Sequence, residues 1–343
     1  MSANRLAPEW APQDAIAIVW PHQNSDWAPA LHSVEPVYLE LCKYISRQQN
    51  IILIACNDIH EREIRSKLKA AGTSCKNIKF AVIPTNDTWI RDYGPVCTVS
   101  DDRKVLLDFQ FDGWGKFSNY RLDNALNMQL TKDLGFIASY QSVDHILEAG
   151  NIEINGRGEL LCSRTCFRRN RDFPDSGFTQ LEKQLERWLG CCKIYWLDRI
   201  QLIGDDTCGH VDTLARFCAD DIIVYTACRS RQDRNHETLG LLSMQLEKIN
   251  RQCGHKYELI PLPLPDPVFL RGQQLPATYT NFLITNHHVL VPVFNDRQDD
   301  CTLRLIDELF PDREVAGVDS RTLIQQRGGL HCAAMQIPEG FIL

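Results

Sequence analysis

The 343-residue chain has no long run of lysine and arginine, and its formal net charge is −7. Nucleic-acid binding depends on clustered basic side chains, so no nucleic-acid partner is expected. No stretch has the apolar length that crosses a bilayer, and Met1–Gln13 lacks the basic-then-apolar layout of a signal peptide. We therefore expect a cytoplasmic protein with no membrane partner.

Paired Cys-x-x-Cys units are also absent, although the chain has 14 cysteines. Structural zinc sites commonly use such pairs, so a structural zinc site has little support. Disulfide frameworks are typical of small secreted domains, so we expect reduced thiols here. Cys332 is distinctive because it follows Gly328-Gly329 and His331. It is either a small buried apolar side chain or a nucleophile.

Five amphipathic segments of helical period recur about every 60 residues. They begin at Asn57, Ser118, Ser176, Asn235 and Asp299, residue types that favour helix N-caps. Each is followed by a β-like run, a turn and a second β-like stretch. The period predicts an α/β repeat within one domain spanning residues 1–343. A further strand over Asp14–Trp20 can complete the sheet of the last repeat and close a ring; an ordinary open α/β sheet is the alternative.

Polar side chains recur where the second β-like stretch of each unit starts. In chain order they are Trp89, Arg91, Asp92, Glu148, His210, Asp212, Asn281, His331 and Cys332. Equivalent positions in a ring of like units face one axis, so we expect Asp92, Glu148, His210, Asp212 and Cys332 to meet. A thiol beside a histidine is the arrangement of a catalytic nucleophile with its acid/base. Carboxylates accept paired hydrogen bonds from the N–H groups of a planar guanidinium. Taken singly, His210 and Asp212 could instead be metal ligands, and the Arg91-Asp92 pair a simple ion pair.

Four stretches together resemble the agmatine deiminase family, which includes the bacterial peptidylarginine deiminase-like proteins. They are TNDTWIRDYGP at 85–95, LEAGNIEINGRGELL at 147–161, GDDTCGHVDTLARF at 204–217 and GGLHCAAMQIP at 328–338. The stretches at 8–27 and 275–296 are similar to that family too. The resemblance implies the pentein fold, a fivefold pseudosymmetric α/β-propeller. It also implies hydrolysis of a guanidine to a ureido group and ammonia without a metal or organic cofactor, often in a homodimer.

The same resemblance implies roles for single residues. Cys332 resembles the nucleophile, His210 the general acid/base, Glu148 the carboxylate that supports it, and Asp92 and Asp212 the guanidinium-binding carboxylates. Trp89 matches a pocket tryptophan, Asp206 a carboxylate that faces the distal amine in agmatine-specific members, and Asn281 is a further substrate-binding candidate. Three positions depart from the family pattern: Ala149 replaces a glycine, Cys208 stands where Asp or Asn is expected, and the run at 113–116 is one glycine short.

Agmatine, converted to N-carbamoylputrescine and ammonia in putrescine biosynthesis, is the expected substrate of this small-molecule enzyme. Peptidyl-arginine or free arginine, converted to citrulline, is the alternative. Arginine needs a partner for its carboxylate, and the candidates are Arg164, Arg168, Arg169, Arg171 and Arg216. Less favoured interpretations are an amidinotransferase, a non-catalytic guanidine-binding protein and a metal-dependent hydrolase.

Overall fold

The computed structural model describes residues 4–100, 103–169 and 177–342. Its helices are α1 (Leu31–Ile45), α2 (Asp58–Ala70), α3 (Arg121–Asn124), α4 (Leu126–Asp133), α5 (Arg164–Arg169), α6 (Gly177–Leu189), α7 (His236–Gln252) and α8 (Asp299–Leu309). Short 3-10 turns lie at Ala28–Ala30, Ala149–Asn151, Val211–Thr213 and Leu323–Gln326. None of the helices in these ranges has the length and apolar content to span a membrane.

The strands alternate with these helices along the chain. They are β1 (Arg5–Leu6), β2 (Gln13–Val19), β3 (Asn50–Ala55), β4 (Ile78–Val82), β5 (Val96–Ser100), β6 (Arg103–Gln110), β7 (Ser139–Ile146), β8 (Ile152–Ile154), β9 (Glu159–Ser163), β10 (Lys193–Leu197), β11 (Ala215–Ala219), β12 (Ile222–Ala227), β13 (Glu258–Pro263), β14 (Phe269–Leu270), β15 (Gln273–Gln274), β16 (Leu283–Ile284), β17 (His288–Val293), β18 (Glu314–Asp319) and β19 (Ala334–Pro338).

Within the described ranges, five sheets share one pairing pattern in a mixed α/β fold. Their strand orders are β1-β5-β6-β7, β10-β9-β8, β11-β12-β13, β16-β17-β18 and β19-β2-β3-β4, and β14-β15 forms a separate hairpin. In each sheet an inner strand pairs antiparallel with one neighbour and parallel with the other. Parallel neighbours need a crossover, and helices supply it, as α7 does between β12 and β13. Separate sheets of this kind are not a single open sheet.

The helix, strand, turn and strand of the predicted unit belong to two sheets, not one. For example, β4 is in the sheet of β2 and β3, whereas β5, after the next turn, is in the sheet of β6. The predicted polar positions therefore fall in the connections between sheets. The strand expected over Asp14–Trp20 is β2, which pairs antiparallel with β19, Ala334 lying opposite Ile18.

The inner strand β2 is buried on both faces. Ile16 and Ile18 pack in one hydrophobic cluster with α1, while Ala15 and Ala17 pack in another with β6. Burial of an isoleucine side chain stabilises a fold by about 2 kcal/mol, so this alternation holds two layers together. It also explains why the strand is almost wholly apolar.

Two local predictions are wrong. The helix expected from Ser118 begins at Arg121, because the side-chain oxygen of Asn86 in another loop accepts the Leu122 N–H at 2.9 Å. The prolines at 261–267 predict a loop, and this is wrong at its start: residues 264–267 lie outside any strand, but Pro261 and Pro263 lie in β13. Proline is tolerated there because β13 is an edge strand. In contrast, Asn57 caps α2 as predicted, accepting the His60 N–H at 2.9 Å.

Candidate active site

The turn that carries Cys332 is held by Asn281 from another unit. The Asn281 side-chain oxygen accepts the His331 N–H at 3.1 Å, and its Nδ2 lies 3.3 Å from Cys332 Sγ. The two glycines before this turn permit close packing. A Cβ on Gly329 would lie 2.4 Å from Asn281 Oδ1, and one on Gly328 would lie 2.2 Å from the Trp89 ring. Their absent side chains therefore let Asn281 and Trp89 approach Cys332.

His210 is buried between two carboxylates. Its Nε2 lies 2.7 Å from Glu148 Oε2, and its Nδ1 lies 3.6 Å from Asp92 Oδ1. Burial alone lowers the pKa of His210, but the charges of Asp92, Glu148 and Asp212 outweigh it and raise the pKa to about 9. The imidazole is therefore protonated at neutral pH and can donate a proton.

Two polar groups orient Asp92. Its Oδ1 accepts the Gly150 N–H at 3.1 Å, and its Oδ2 accepts the Trp114 indole N–H at 2.9 Å. Burial, reinforced by Glu148 and Asp212, raises the pKa of Asp92 to about 6 although His210 opposes the shift. The group is thus ionised at neutral pH and protonated in mild acid.

Asp212 lies behind the sulfur and is fully buried. Its Oδ2 lies 3.7 Å from Cys332 Sγ and 2.8 Å from His331 Nδ1. Burial opposes ionisation, but the contact with His331 lowers the pKa of Asp212. Its Oδ1 has no hydrogen-bond partner among the described residues. A buried, unpaired carboxylate oxygen is costly, and a ligand N–H would satisfy it.

Without a ligand, the site strongly favours the neutral thiol of Cys332 over the thiolate. Burial, followed by the charges of Asp212 and Asp92, raises the pKa of the Cys332 thiol well above its usual value. A cationic ligand between these carboxylates would offset that effect and favour the thiolate. All fourteen cysteines, each within the described ranges, are free thiols.

A cavity of about 340 Å³ opens onto this group. Of the predicted residues, Trp89, Asp92, Asp206, His210 and Cys332 line it, whereas Glu148, Asp212 and Asn281 lie behind its wall. Asp26, Asp87 and Asp206 make the outer part acidic, and burial raises the pKa of Asp87 to about 7. Arg327 also lines the cavity, with its Nη1 3.7 Å from Asp206 Oδ2.

None of the described arginines proposed as carboxylate partners lines this cavity. Arg216 is fully buried and pairs with Glu9 and Glu153. Arg164 lies over the Phe178 ring, and Arg168 pairs with Asp198 at 2.8 Å. Arg171 and the side chain of Arg169 lie outside the described part of the chain. The arginine that does line the cavity is Arg327, which the sequence did not single out.

The departure at Ala149 has no consequence for the cavity wall. Its methyl group packs in the hydrophobic core, and the close approach is made by Gly150. A Cβ on Gly150 would lie 2.7 Å from His210 Nδ1 and 2.8 Å from Asp92 Oδ1.

We expect Gly150→Ala to lower kcat/KM by about 100-fold or more, because the methyl group would displace His210 and Asp92 from their contact. Steady-state kinetics on agmatine measure this. Ala149→Gly is the matched control and should change kcat/KM less than about threefold, since it removes only core contacts. Equal losses in both variants would contradict the assignment of the close approach to Gly150.

Cys208 has a left-handed backbone, with φ of 67°. Asn and Asp adopt this region more readily than other residues with side chains, which explains why one of them is expected before Gly209. We expect Cys208→Asn to raise the free energy of unfolding by about 0.5 to 1 kcal/mol in denaturant titrations. Cys228→Asn, at a half-buried position without positive φ, should give no gain. A destabilised Cys208→Asn variant would contradict this account.

The sequence did not single out Glu9 or Trp114, although both contact the predicted group. Trp114 sits between two glycines in a run of three left-handed residues, which directs its indole onto Asp92. Glu9 lies before β2 and contacts His331 Nε2 at 2.7 Å. Glu9, Glu153 and His331 are also the one group of three metal-ligating types that lie close together in the described ranges. The guanidinium groups of Arg91 and Arg216 already pair with those glutamates.

Comparisons with known proteins show the family of the chain. The family model for Porphyromonas-type peptidyl-arginine deiminase matches residues 5–338. The agmatine deiminase of Medicago truncatula is 27% identical over 367 residues, covering 97% of this chain and 96% of that protein. A cysteine-to-serine variant of C. jejuni agmatine deiminase, solved with substrate bound, is 33% identical with a TM-score of 0.89, covering 98% of this chain and 97% of that one. The chain therefore belongs to the Porphyromonas-type peptidyl-arginine deiminase family.

Proposed function

We propose that the protein hydrolyses the guanidinium group of agmatine to N-carbamoylputrescine and ammonia. One observation carries the proposal. At the base of one acidic cavity lie the buried thiol of Cys332, His210 between two carboxylates, and Asp212, whose Oδ1 has no hydrogen-bond partner among the described residues. The agmatine deiminases of Medicago truncatula and C. jejuni, which are similar over nearly their whole length, support the same substrate. The role of each residue in the reaction is part of the proposal.

In the first half of the reaction, Asp92 and Asp212 hold the guanidinium, and its charge favours loss of the Cys332 proton to solvent. The thiolate forms a bond to the central carbon. Protonated His210 then gives its proton to one terminal nitrogen, the carbon–nitrogen bond breaks and ammonia leaves. A cationic thiouronium intermediate remains on Cys332, and His210 is neutral.

In the second half, neutral His210 takes a proton from water as the water oxygen adds to the same carbon. The carbon–sulfur bond breaks and the ureido product leaves. The second proton released in this step returns to the sulfur, because the pKa of the Cys332 thiol is high once the cation has gone. Glu148 holds the histidine ring throughout, while Asn281 holds the turn that carries sulfur.

The substrate test is a panel of agmatine, free arginine and peptides ending in arginine, with ammonia and ureido product measured. We expect kcat/KM for agmatine to exceed that for arginine by about 100-fold or more, because the arginine carboxylate would face Asp26, Asp87 and Asp206. Arg327 contacts Asp206 and favours arginine as the second candidate. A new guanidine in place of a ureido product would indicate an amidinotransferase, and binding without either product a non-catalytic protein.

The pH dependence of kcat at saturating agmatine follows from two groups of the site, because the bound cation favours the Cys332 thiolate. Asp92 must be ionised, so kcat should fall as pH drops through about 6. His210 must be protonated, so kcat should also fall as pH rises through about 9. These limbs belong to the coupled cluster and are measured by steady-state kinetics on agmatine between pH 5 and about 10.5. Activity that still rises above pH 9 would contradict the assignment of His210.

We also propose that residues 1–343 form one catalytic domain with the fivefold propeller arrangement. The shared pairing pattern of five sheets and the pairing of β19 with β2 support it. Fourteen free thiols support a cytoplasmic location. The homodimer stays a prediction of the family resemblance.

A further inference from the structure

A buried charged network behind Cys332 is not used by the mechanism above. Its members are Glu9, Arg91, Glu153, Arg216, His331 and Gln336. Glu9 is its centre. Glu9 Oε1 accepts from Arg91 Nη1 at 3.0 Å, and Oε2 accepts from Arg216 Nη2 at 2.5 Å and from Gln336 Nε2 at 3.0 Å. These contacts fix both oxygens of Glu9 in place.

His331 joins this network to the site. Its ring is fully buried, with Nδ1 2.8 Å from Asp212 Oδ2 and Nε2 2.7 Å from Glu9 Oε1. Each contact needs a proton between its two atoms, so the trio binds two protons. Burial and the charges of Arg216 and Arg91 lower the pKa of His331, and the pKa values of Glu9 and Asp212 are lowered as well. The geometry places the two protons: an ionised carboxylate has only acceptor atoms, so at 2.8 Å and 2.7 Å each ring nitrogen must donate.

Asp212 is the group on which this arrangement acts. Charged or titratable side chains that face it are His331, His210, Arg216, Asp92 and Cys332. The contact with His331 occupies Oδ2 and leaves Oδ1 without a partner among the described residues. Loss of the proton on Nδ1 would remove the main group that favours ionised Asp212.

We propose that Glu9 and His331 are positioning residues, which keep Asp212 ionised and turned so that Oδ1 can accept an N–H of the guanidinium. This inference rests on the proposed function. Glu9 acts through His331 and does not touch the cavity, so a residue from the start of the chain sets the charge of a group more than 200 positions away.

The test is Glu9→Gln, which keeps the size of the side chain and removes its charge. We expect kcat/KM for agmatine to fall by about 10- to 100-fold. We also expect the acid limb of kcat to move to higher pH, because Asp212 would protonate more readily beside a neutral His331. Glu153→Gln is the matched control, since Glu153 belongs to the same network and also pairs with Arg216, but it makes no hydrogen bond to His331. Its acid limb should stay at the wild-type position.

A folded Glu9→Gln protein with the wild-type kcat/KM and acid limb would overturn the inference. If that variant does not fold, Glu9→Asp keeps the charge but withdraws the carboxylate by one methylene group. It should show a smaller shift in the same direction, and an unchanged acid limb in it would also overturn the inference. Failure of the proposed function is distinguishable, because wild-type protein would then release no ammonia from agmatine.

Discussion

Replacement of Cys332 by alanine is expected to lower the rate of ammonia release from agmatine by about 10⁴-fold or more. The carbon–sulfur bond cannot form in this variant, and no other cysteine lines the cavity among the described residues. Agmatine should still bind, because Asp92 and Asp212 are unchanged. Ammonia release measures turnover, and calorimetry measures binding.

Cys301→Ala is the control for loss of a thiol. Cys301 is exposed on α8, and its removal should leave kcat/KM within about twofold. Ammonia release by Cys332→Ala within tenfold of wild type would contradict the nucleophile assignment.

Replacement of His210 by glutamine should lower kcat by about 10²- to 10⁴-fold, the usual contribution of a positioned acid/base. Glutamine fills a similar space and can still contact Glu148, but it neither donates nor takes up a proton at neutral pH. The residual activity should also lose its alkaline limb near pH 9, since His210 is the group whose pKa is raised to about that value. Steady-state kinetics across pH measure both effects.

His32→Gln provides the matched control, because His32 is an exposed histidine that is not among the residues lining the cavity. It should retain both kcat and the alkaline limb. An alkaline limb that persists in His210→Gln would assign that titration to another group, and kcat above one tenth of wild type would remove His210 from the proton transfers.

The sequence was informative where the cause of a structure is local. Asn57 caps a helix through a contact three residues away, and the apolar run of β2 follows from burial on both faces. Predictions from the sequence were wrong where the structure depends on distant parts of the chain. Asn86 supplies the hydrogen bond at the start of α3, and Pro261 is tolerated because β13 is an edge strand.

The same distinction applies to the site. The five polar residues expected to meet could be named because each follows a recurring element. Which of them line the cavity could not be predicted, because the packing of the whole fold places Glu148 and Asp212 behind the lining residues. No sequence pattern indicated a role for Glu9, because its contact with His331 joins positions separated by 322 residues.

The pairing of β2 with β19 bears on how the protein is made. Gln13–Val19 is synthesised more than 300 residues before Ala334–Pro338, and it has no β19 partner until that strand has emerged from the exit tunnel. Contacts this distant in sequence carry a large loop-closure entropy and slow folding. Cys332, the proposed nucleophile, lies two residues before β19, so a nascent chain should turn over no guanidine until that part of the chain has been made.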